Sequence, residues 1–222
     1  MAIKPILFNT EMVRAILDGL KTCTRRICKD ANEYTVPDME FYNADKRTYA
    51  VHNFADKKHT EKLSIAERTC PICPGDILYV RETWQYLYEL DGNEQVIEDT
   101  GKYYYAATDT IPFDTYVDEN GVKHDHAPWR PSIHMPKEAA RIWLKVTDVR
   151  VELLQEITID GIRSEGLSSR AVHAGDMEIA LKEWELLWNS TIKKSDLDRY
   201  GWYASPWVWV IEFERCEKPE IN

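Results

Sequence analysis

Asp18-Gly19-Leu20-Lys21-Thr22-Cys23-Thr24-Arg25-Arg26 follows a short segment that carries clear helix signals. Asn9 or Thr10 can cap its start, and Glu11 suits the positive end of the helix dipole. Met12, Val13, Ile16 and Leu17 recur at helical spacing, and Gly19 stands where a left-handed residue ends a helix. The chain therefore stops turning as it delivers Lys21, Thr22, Thr24, Arg25 and Arg26 into a loop. Loops held on a rigid scaffold are where binding and catalytic groups concentrate. Lys21 and Thr24 bring an amine and a hydroxyl close together, and Arg26 adds a fork of donors suited to phosphate or carboxylate. The same residues also read as a solvated basic helix end, complementary to the negative end of the dipole.

Outward from this stretch, Ile3 to Phe8 reads as a first strand. Asp76 to Trp84 alternates as a strand, with Leu78, Val80, Glu82 and Trp84 on one face and Ile77, Tyr79, Arg81 and Thr83 on the other. Arg141 to Leu154 is a long strand rich in β-branched residues. Thr158 suits an N-cap, Ile162 an inward position, and Gly166 a C′ glycine, which leaves Glu165 in the last turn of a short helix. Asp176 to Asn189 is the best helix, its stripe of Met177, Ala180, Leu181, Trp184, Leu187 and Trp188 reading as core packing. Trp207 to Glu214 begins apolar on both faces, as a central strand does. Strands separated by short helices without a βαβ rhythm predict an α+β fold built on a mixed barrel.

Two segments stand apart. Residues 28–69 are polar with little sustained periodicity and read as an insertion, with room for an isolated hairpin or helical turn. Residues 86–128 read as a second insertion, with turns at Asp91-Gly92-Asn93 and Asn120-Gly121 and added strands around Tyr103-Tyr104-Tyr105. Those tyrosines could stack bases, but adjacent tyrosines in a strand more often put one ring on the core and the next on solvent.

With 222 residues and 44% hydrophobic content, the chain can bury a substantial core, and one domain over 1–222 is the default. Its apolar runs fall far short of the ~20 residues of a membrane helix. Met1 to Phe8 is too short and too interrupted by proline to read as a signal peptide, and a cytoplasmic location is expected. A net charge of −10 opposes bulk binding to duplex DNA but leaves room for a short RNA or nucleoside at a local basic patch. Five cysteines in an intracellular chain argue against disulfides. Cys70-Pro71-Ile72-Cys73 runs into a turn and a strand, not a helix start, so it is poorly placed for redox chemistry. As zinc ligands the pair would need two partners from Cys23, Cys28, His52 and His59; one such spacing is a weak signal, and no metal or cofactor is expected.

Gly19-x-Lys21-x-x-Thr24-x-Arg26 resembles the signature of ASCH domains, small barrels related in fold to the RNA-binding PUA domain. Pro74 to Val80, Ile142 to Thr147, Ile157 to Gly166 and Trp209 to Phe213 follow in the order that family uses. The match is closest to a larger subgroup found mostly in phage and prophage sequences, with Trp129 to Pro136 as its second hallmark. The resemblance implies a PUA-like mixed β-barrel with short flanking helices, into which 28–69 and 86–128 are inserted. One branch of the family hydrolyses the acetyl amide of N4-acetylcytidine with a lysine and threonine of the first motif and the glutamate of a Glu-Gly motif. Those residue types fall at Lys21, Thr24 and Glu165. By this resemblance Thr24 is the nucleophile, Lys21 its base and Glu165 the proton donor. Alternatives are a non-catalytic module for RNA or a modified nucleotide, needing Lys21, Arg25 and Arg26 alone, and a ribonuclease. A lysine near a helix end is stabilised as its cation, so only burial or a neighbouring arginine would make it a base.

Three further residues are binding candidates. Glu82 shares a strand face with apolar residues and reads first as half of an ion pair with Arg81 or Arg26. Ser132 and His134 lie in a loop stiffened by Pro131 and Pro136, where they could line a pocket.

Overall fold

Ile3–Leu7 forms the first strand, β1, and Thr10–Leu17 the helix α1 in the computed structural model of the chain. It describes residues 1–29, 35–44, 47–54, 62–89, 91–93, 95–111, 116–117, 122–124 and 128–220. Asn9 is the cap of α1: its side chain accepts the Met12 N–H at 2.9 Å and satisfies one of the donors a helix start leaves open. Gly19 follows at φ +73°, a conformation that strains any residue with a Cβ.

The remaining strands are β2 (Cys23–Ile27), β3 (Thr35–Asn43), β4 (Thr48–Phe54), β5 (Lys62–Thr69), β6 (Ile77–Arg81), β7 (Trp84–Leu87), β8 (Lys102–Tyr105), β9 (Tyr116–Val117), β10 (Lys123–His124), β11 (Trp143–Leu153) and β12 (Trp207–Cys216). The remaining helices are α2 (Ile159–Ser164), α3 (Arg170–Ala174), α4 (Met177–Thr191) and α5 (Leu197–Tyr200). The chain alternates between two compact units, one comprising essentially 19–76 and 145–214, the other 2–18, 77–144 and 215–222.

In the first unit the strand order is β11-β12-β2, so β12 is central as its two apolar faces require. β2 runs antiparallel to β12, with Cys23 opposite Glu212, Arg25 opposite Val210 and Ile27 opposite Val208. That face packs on the helices: Cys23, Val208 and Val210 join Ile162 of α2, Val172 of α3, and Trp184 and Trp188 of α4. Asp176 caps α4 by accepting the Ile179 N–H, and the Trp188 indole donates to the Tyr200 carbonyl at 2.8 Å. The stretch after Lys21 is thus not the loop its composition suggested. Cys23 to Ile27 is pulled straight by pairing with β12, and only 19–22 connects it to the helix.

Residues 28–69 also differ from the expected loose insertion. β3, β4 and β5 form an antiparallel three-stranded sheet in that order. Tyr49, Ala50 and Val51 are buried one after another in β4, which erases the alternation a half-exposed strand displays in sequence. The Tyr49 ring meets Trp209 edge to face at 4.8 Å.

In the second unit β1 pairs in parallel with β6, Ile3 lying opposite Ile77 and Leu7 opposite Arg81. The expected strand over Asp76 to Trp84 breaks in two. β6 ends at Arg81 because the Glu82 N–H goes to the Met135 sulfur at 3.2 Å, and β7 starts at Trp84. β7 pairs antiparallel with β8, Trp84 opposite Tyr105, and β9 pairs with β10. Tyr103 and Tyr105 pack against the cluster of Trp84, Met135 and Trp143, while Tyr104 between them carries Lys102 over its ring at 5.4 Å. The Asn120-Gly121 turn lies outside the described residues.

The fold is mixed α+β, with a multi-stranded sheet and short helices. Among the described residues no ladder closes into a barrel. No described helix is long and apolar enough to cross a membrane.

Candidate functional site

Glu165 is delivered by local rules. Thr158 caps α2 by accepting the Gly161 N–H at 3.1 Å, Ile162 is buried, Glu165 is the C-cap and Gly166 leaves at φ +94°. Lys21 is brought to it by the backbone. The two residues form an isolated antiparallel bridge, the Thr22 N–H donates to the Ser164 carbonyl and the Phe213 N–H to the Thr22 carbonyl, both at 2.9 Å. The Lys21 ammonium then donates to Glu165 Oε2 at 2.6 Å and to the Glu165 carbonyl at 2.9 Å. Their side chains are 0% and 2% exposed. The second carboxylate oxygen accepts from Arg25 Nη1 at 3.3 Å, and Arg25 Nη2 reaches Glu152 Oε2 at 3.2 Å. Two cations thus offset the negative charge held at the C-terminal end of α2, where the helix dipole opposes it.

Strand pleating sorts the rest of the motif. Cys23 and Arg25 share a face with Val210 and Glu212, whereas Thr24 and Arg26 point to the opposite face with Trp209 and Ile211. Thr24 is buried there. Arg26 has its pKa lowered by burial, with Glu165 pulling the other way. The Cys23 thiol lies 3.9 Å from Arg25 Nη1. Burial first, and Glu165 second, push it up to about 12 against the pull of Arg25, Lys21 and Arg150.

A cavity of about 350 Å³ opens beside this cluster, lined among others by Cys23, Arg25, Arg150, Glu152, Asp160 and Glu212. Arg150 donates to Glu152 at 2.6 Å and to Glu212 at 2.5 Å. Burial lowers the pKa of its guanidinium, but these two hydrogen bonds together with the charges of both carboxylates outweigh it and the net shift is upward. Gly161 lets α2 approach Arg25: a Cβ there would sit 3.1 Å from Arg25 Nη2. Arg150 and Glu152 are not singled out by sequence, and Cys23 is only as a candidate zinc ligand. The legible signal was the i, i+2 placement of Arg150 and Glu152, which puts both on one face of a strand.

Glu82, Ser132 and His134 belong to the second unit. Glu82 is buried and paired, and its partner is Arg141, not Arg81 or Arg26. Arg141 Nε and Nη2 each donate to one Glu82 oxygen at 2.9 Å. Arg81 instead donates to the Met135 carbonyl at 2.7 Å. The Arg141 guanidinium stacks over Tyr105 at 4.0 Å; burial lowers its pKa, but Glu82, with smaller contributions from Asp109 and Tyr105, makes the net shift upward. Burial pushes the Tyr105 phenol up to about 12 against the pull of Arg141. Ser132 and His134 form a single helical turn in which Ser132 is half-buried and His134 exposed.

Cys70 and Cys73 are both buried. The Cys70 thiol donates to the Ile72 carbonyl at 2.8 Å, and burial, followed by its side-chain hydrogen bond with Cys73, pushes its pKa up to about 12. Cys23 belongs to the helix-facing core and Cys28 lies 3.9 Å from the Tyr49 hydroxyl, while His59 lies outside the described residues. Among the described residues no three His, Cys, Asp or Glu side chains gather as a metal-ligand set.

No family model and no curated protein matches the chain. A solved structure, the ASCH domain from Lactobacillus crispatus JV V101, is similar to it at 10% identity, with 96% of this chain and 79% of that chain covered and a TM-score of 0.35.

Proposed function

We propose that this chain is an ASCH-type protein acting on a modified nucleoside, a pocket amidohydrolase that removes an acyl group from a cytidine-like amide. The observation that carries the reading is the 2.6 Å contact between Lys21 Nζ and Glu165 Oε2, which joins two motifs 144 residues apart in the chain. A buried ion pair is a poor investment in stability, since desolvating two charges offsets most of their attraction. It is a good store of one acid and one base. Transfer of a proton from the Lys21 ammonium to Glu165 yields a neutral amine and a carboxylic acid. The amine takes the proton of Thr24 Oγ1 as that oxygen attacks the acyl carbon, and the acid protonates the leaving exocyclic nitrogen. Water then cleaves the acyl-threonine ester. Arg25, bonded to Glu165 throughout, compensates charge, and Arg26 contributes to binding.

A second reading, a binding module without turnover, is favoured by one observation: Thr24 lies on the strand face opposite Cys23 and Arg25. The deciding experiment is incubation of purified protein with N4-acetylcytidine, following release of cytidine. The parent protein is expected to turn over. Thr24→Ala and Glu165→Gln should each lose about 100-fold or more while retaining ligand binding. Binding without turnover by the parent selects the second reading, and equal turnover by Thr24→Ala removes the threonine from the mechanism.

A further inference from the structure

Six charged side chains of the first unit are joined end to end with alternating sign. Lys21 meets Glu165 at 2.6 Å, Glu165 meets Arg25 at 3.3 Å, and Arg25 meets Glu152 at 3.2 Å. Glu152 meets Arg150 at 2.6 Å, and Arg150 meets Glu212 at 2.5 Å. Side-chain exposure climbs along the row, from 0% at Lys21 and 2% at Glu165 and Arg25 to 23% at Glu152, 38% at Arg150 and 44% at Glu212. The buried pair is therefore connected to the solvent-facing surface by ion pairs alone.

The orientation of Arg25 depends on that row. Its side chain is buried and, among the described residues, its Nε–H has no acceptor, so its position is set by what its two Nη groups hold, Glu165 with the more distant Cys23 thiol on one side and Glu152 on the other. Glu152 in turn is shared with Arg150. In a low-dielectric interior such neighbours polarise one another, and a change at one member is felt at the next. Arg25, Glu152, Arg150 and Glu212 all line the cavity, so a bound molecule meets the row at its outer members and reaches the buried pair through Arg25.

We propose that Glu152 and Arg150 are positioning residues, which hold Arg25 against Glu165 and so align the Lys21–Glu165 pair without touching Lys21 or the reacting atoms. This rests on the acid–base role given to Lys21 and Glu165 above, but its test has a readout independent of turnover. In proton–nitrogen correlation spectra of the full chain, the buried Lys21 ammonium and Arg25 Nε–H give signals assignable by their loss in Lys21→Met and Arg25→Lys. Glu152→Gln and Arg150→Met are each expected to shift the Lys21 ammonium signal, although neither side chain contacts it. Glu214→Gln, which removes an exposed charge 3.9 Å from Lys145 on the same strands, should leave that signal in place. In the deacylation assay Glu152→Gln should lower kcat by about tenfold with KM within about twofold, and Glu152→Asp should recover part of the loss. If Glu152→Gln does not fold, Arg150→Lys supplies the same spectroscopic comparison by keeping the charge and removing the fork. A Lys21 signal unmoved by changes at both positions overturns the proposal, whatever the turnover. A parent protein that deacylates nothing, with the Lys21 signal still responding, overturns the enzymatic reading and leaves the coupling standing.

Discussion

Glu165 in the first unit and Glu82 in the second are both buried carboxylates, at 3% and 1% exposure, and they are satisfied in opposite ways. Glu82 is gripped by one guanidinium through two parallel bonds of equal length, and that guanidinium is itself stacked on Tyr105 and bonded to Thr108. Arginine does not give up its proton, so this arrangement has nothing to exchange and serves to pin the residues between β6 and β7 to those preceding β11. Glu165 divides its oxygens between a lysine and an arginine, and the lysine is the more deeply buried partner. An ammonium hydrogen-bonded to a carboxylate can pass its proton across. Burial alone does not distinguish the two carboxylates; the identity of the cation, and whether the carboxylate is closed off by a fork or left divided, does.

The largest expected effects come from removing the cation on each side. Arg141→Met strips the Glu82 carboxylate of its fork and should cost about 3 kcal/mol in urea unfolding, with turnover per folded molecule unchanged. Lys21→Met should cost less than about half of that, because Glu165 keeps Arg25, yet should abolish turnover. Equal stability losses, or turnover lost in Arg141→Met and kept in Lys21→Met, would erase the distinction between the two carboxylates.

A second, intermediate effect is alkaline. Burial raises Cys23 and Cys70 from 9.0 to about 12, and Tyr105 from 10.0 to about 12. A group whose pKa is higher in the folded state binds its proton more tightly there. Its contribution is complete below the unfolded pKa and is lost as pH climbs through the folded one. Urea midpoints should therefore fall from about pH 9 upward, with Tyr105 adding its share only above about pH 10. Cys23→Ala and Cys70→Ala should flatten the fall from its onset, and Tyr105→Phe only its upper part. A flat profile to about pH 11 would show that these groups ionise freely in the folded chain.

The smallest effect expected is at Gly161. An alanine there gains helix propensity but brings its Cβ to 3.1 Å from both Arg25 Nη2 and Ile157 Cγ1. Stability should move by less than about 1 kcal/mol, while the Arg25 Nε–H signal shifts and turnover falls. Unchanged turnover with a shifted signal would mean that the orientation of Arg25 is not limiting.

Much of the local structure is legible in the sequence alone. The caps at Asn9, Thr158 and Asp176, the left-handed Gly19 and Gly166, the apolar stripe of α4 and the doubly apolar β12 all rest on interactions a few residues apart. The sheet of β3 to β5 was not legible, because Tyr49 to Val51 are buried consecutively and show no period. Nor was the end of β6 at Arg81, which depends on a methionine sulfur 53 residues away.

The candidate site divides along the same line. Sequence by itself placed Lys21 and Thr24 just after the end of α1 and Glu165 in the last turn of α2, within motifs that resemble one family, and carries the net charge of −10 that opposes coating nucleic acid. Tertiary structure alone decided that Lys21 touches Glu165, that Thr24 faces away from Arg25, that Glu82 belongs to Arg141, and that Glu152 and Arg150 extend the buried pair toward solvent. The physical reason is range. Capping and periodicity act over one helical turn or strand repeat, whereas an ion pair forms only where the packed fold brings two side chains within about 4 Å, and many carboxylates compete for each cation until it does.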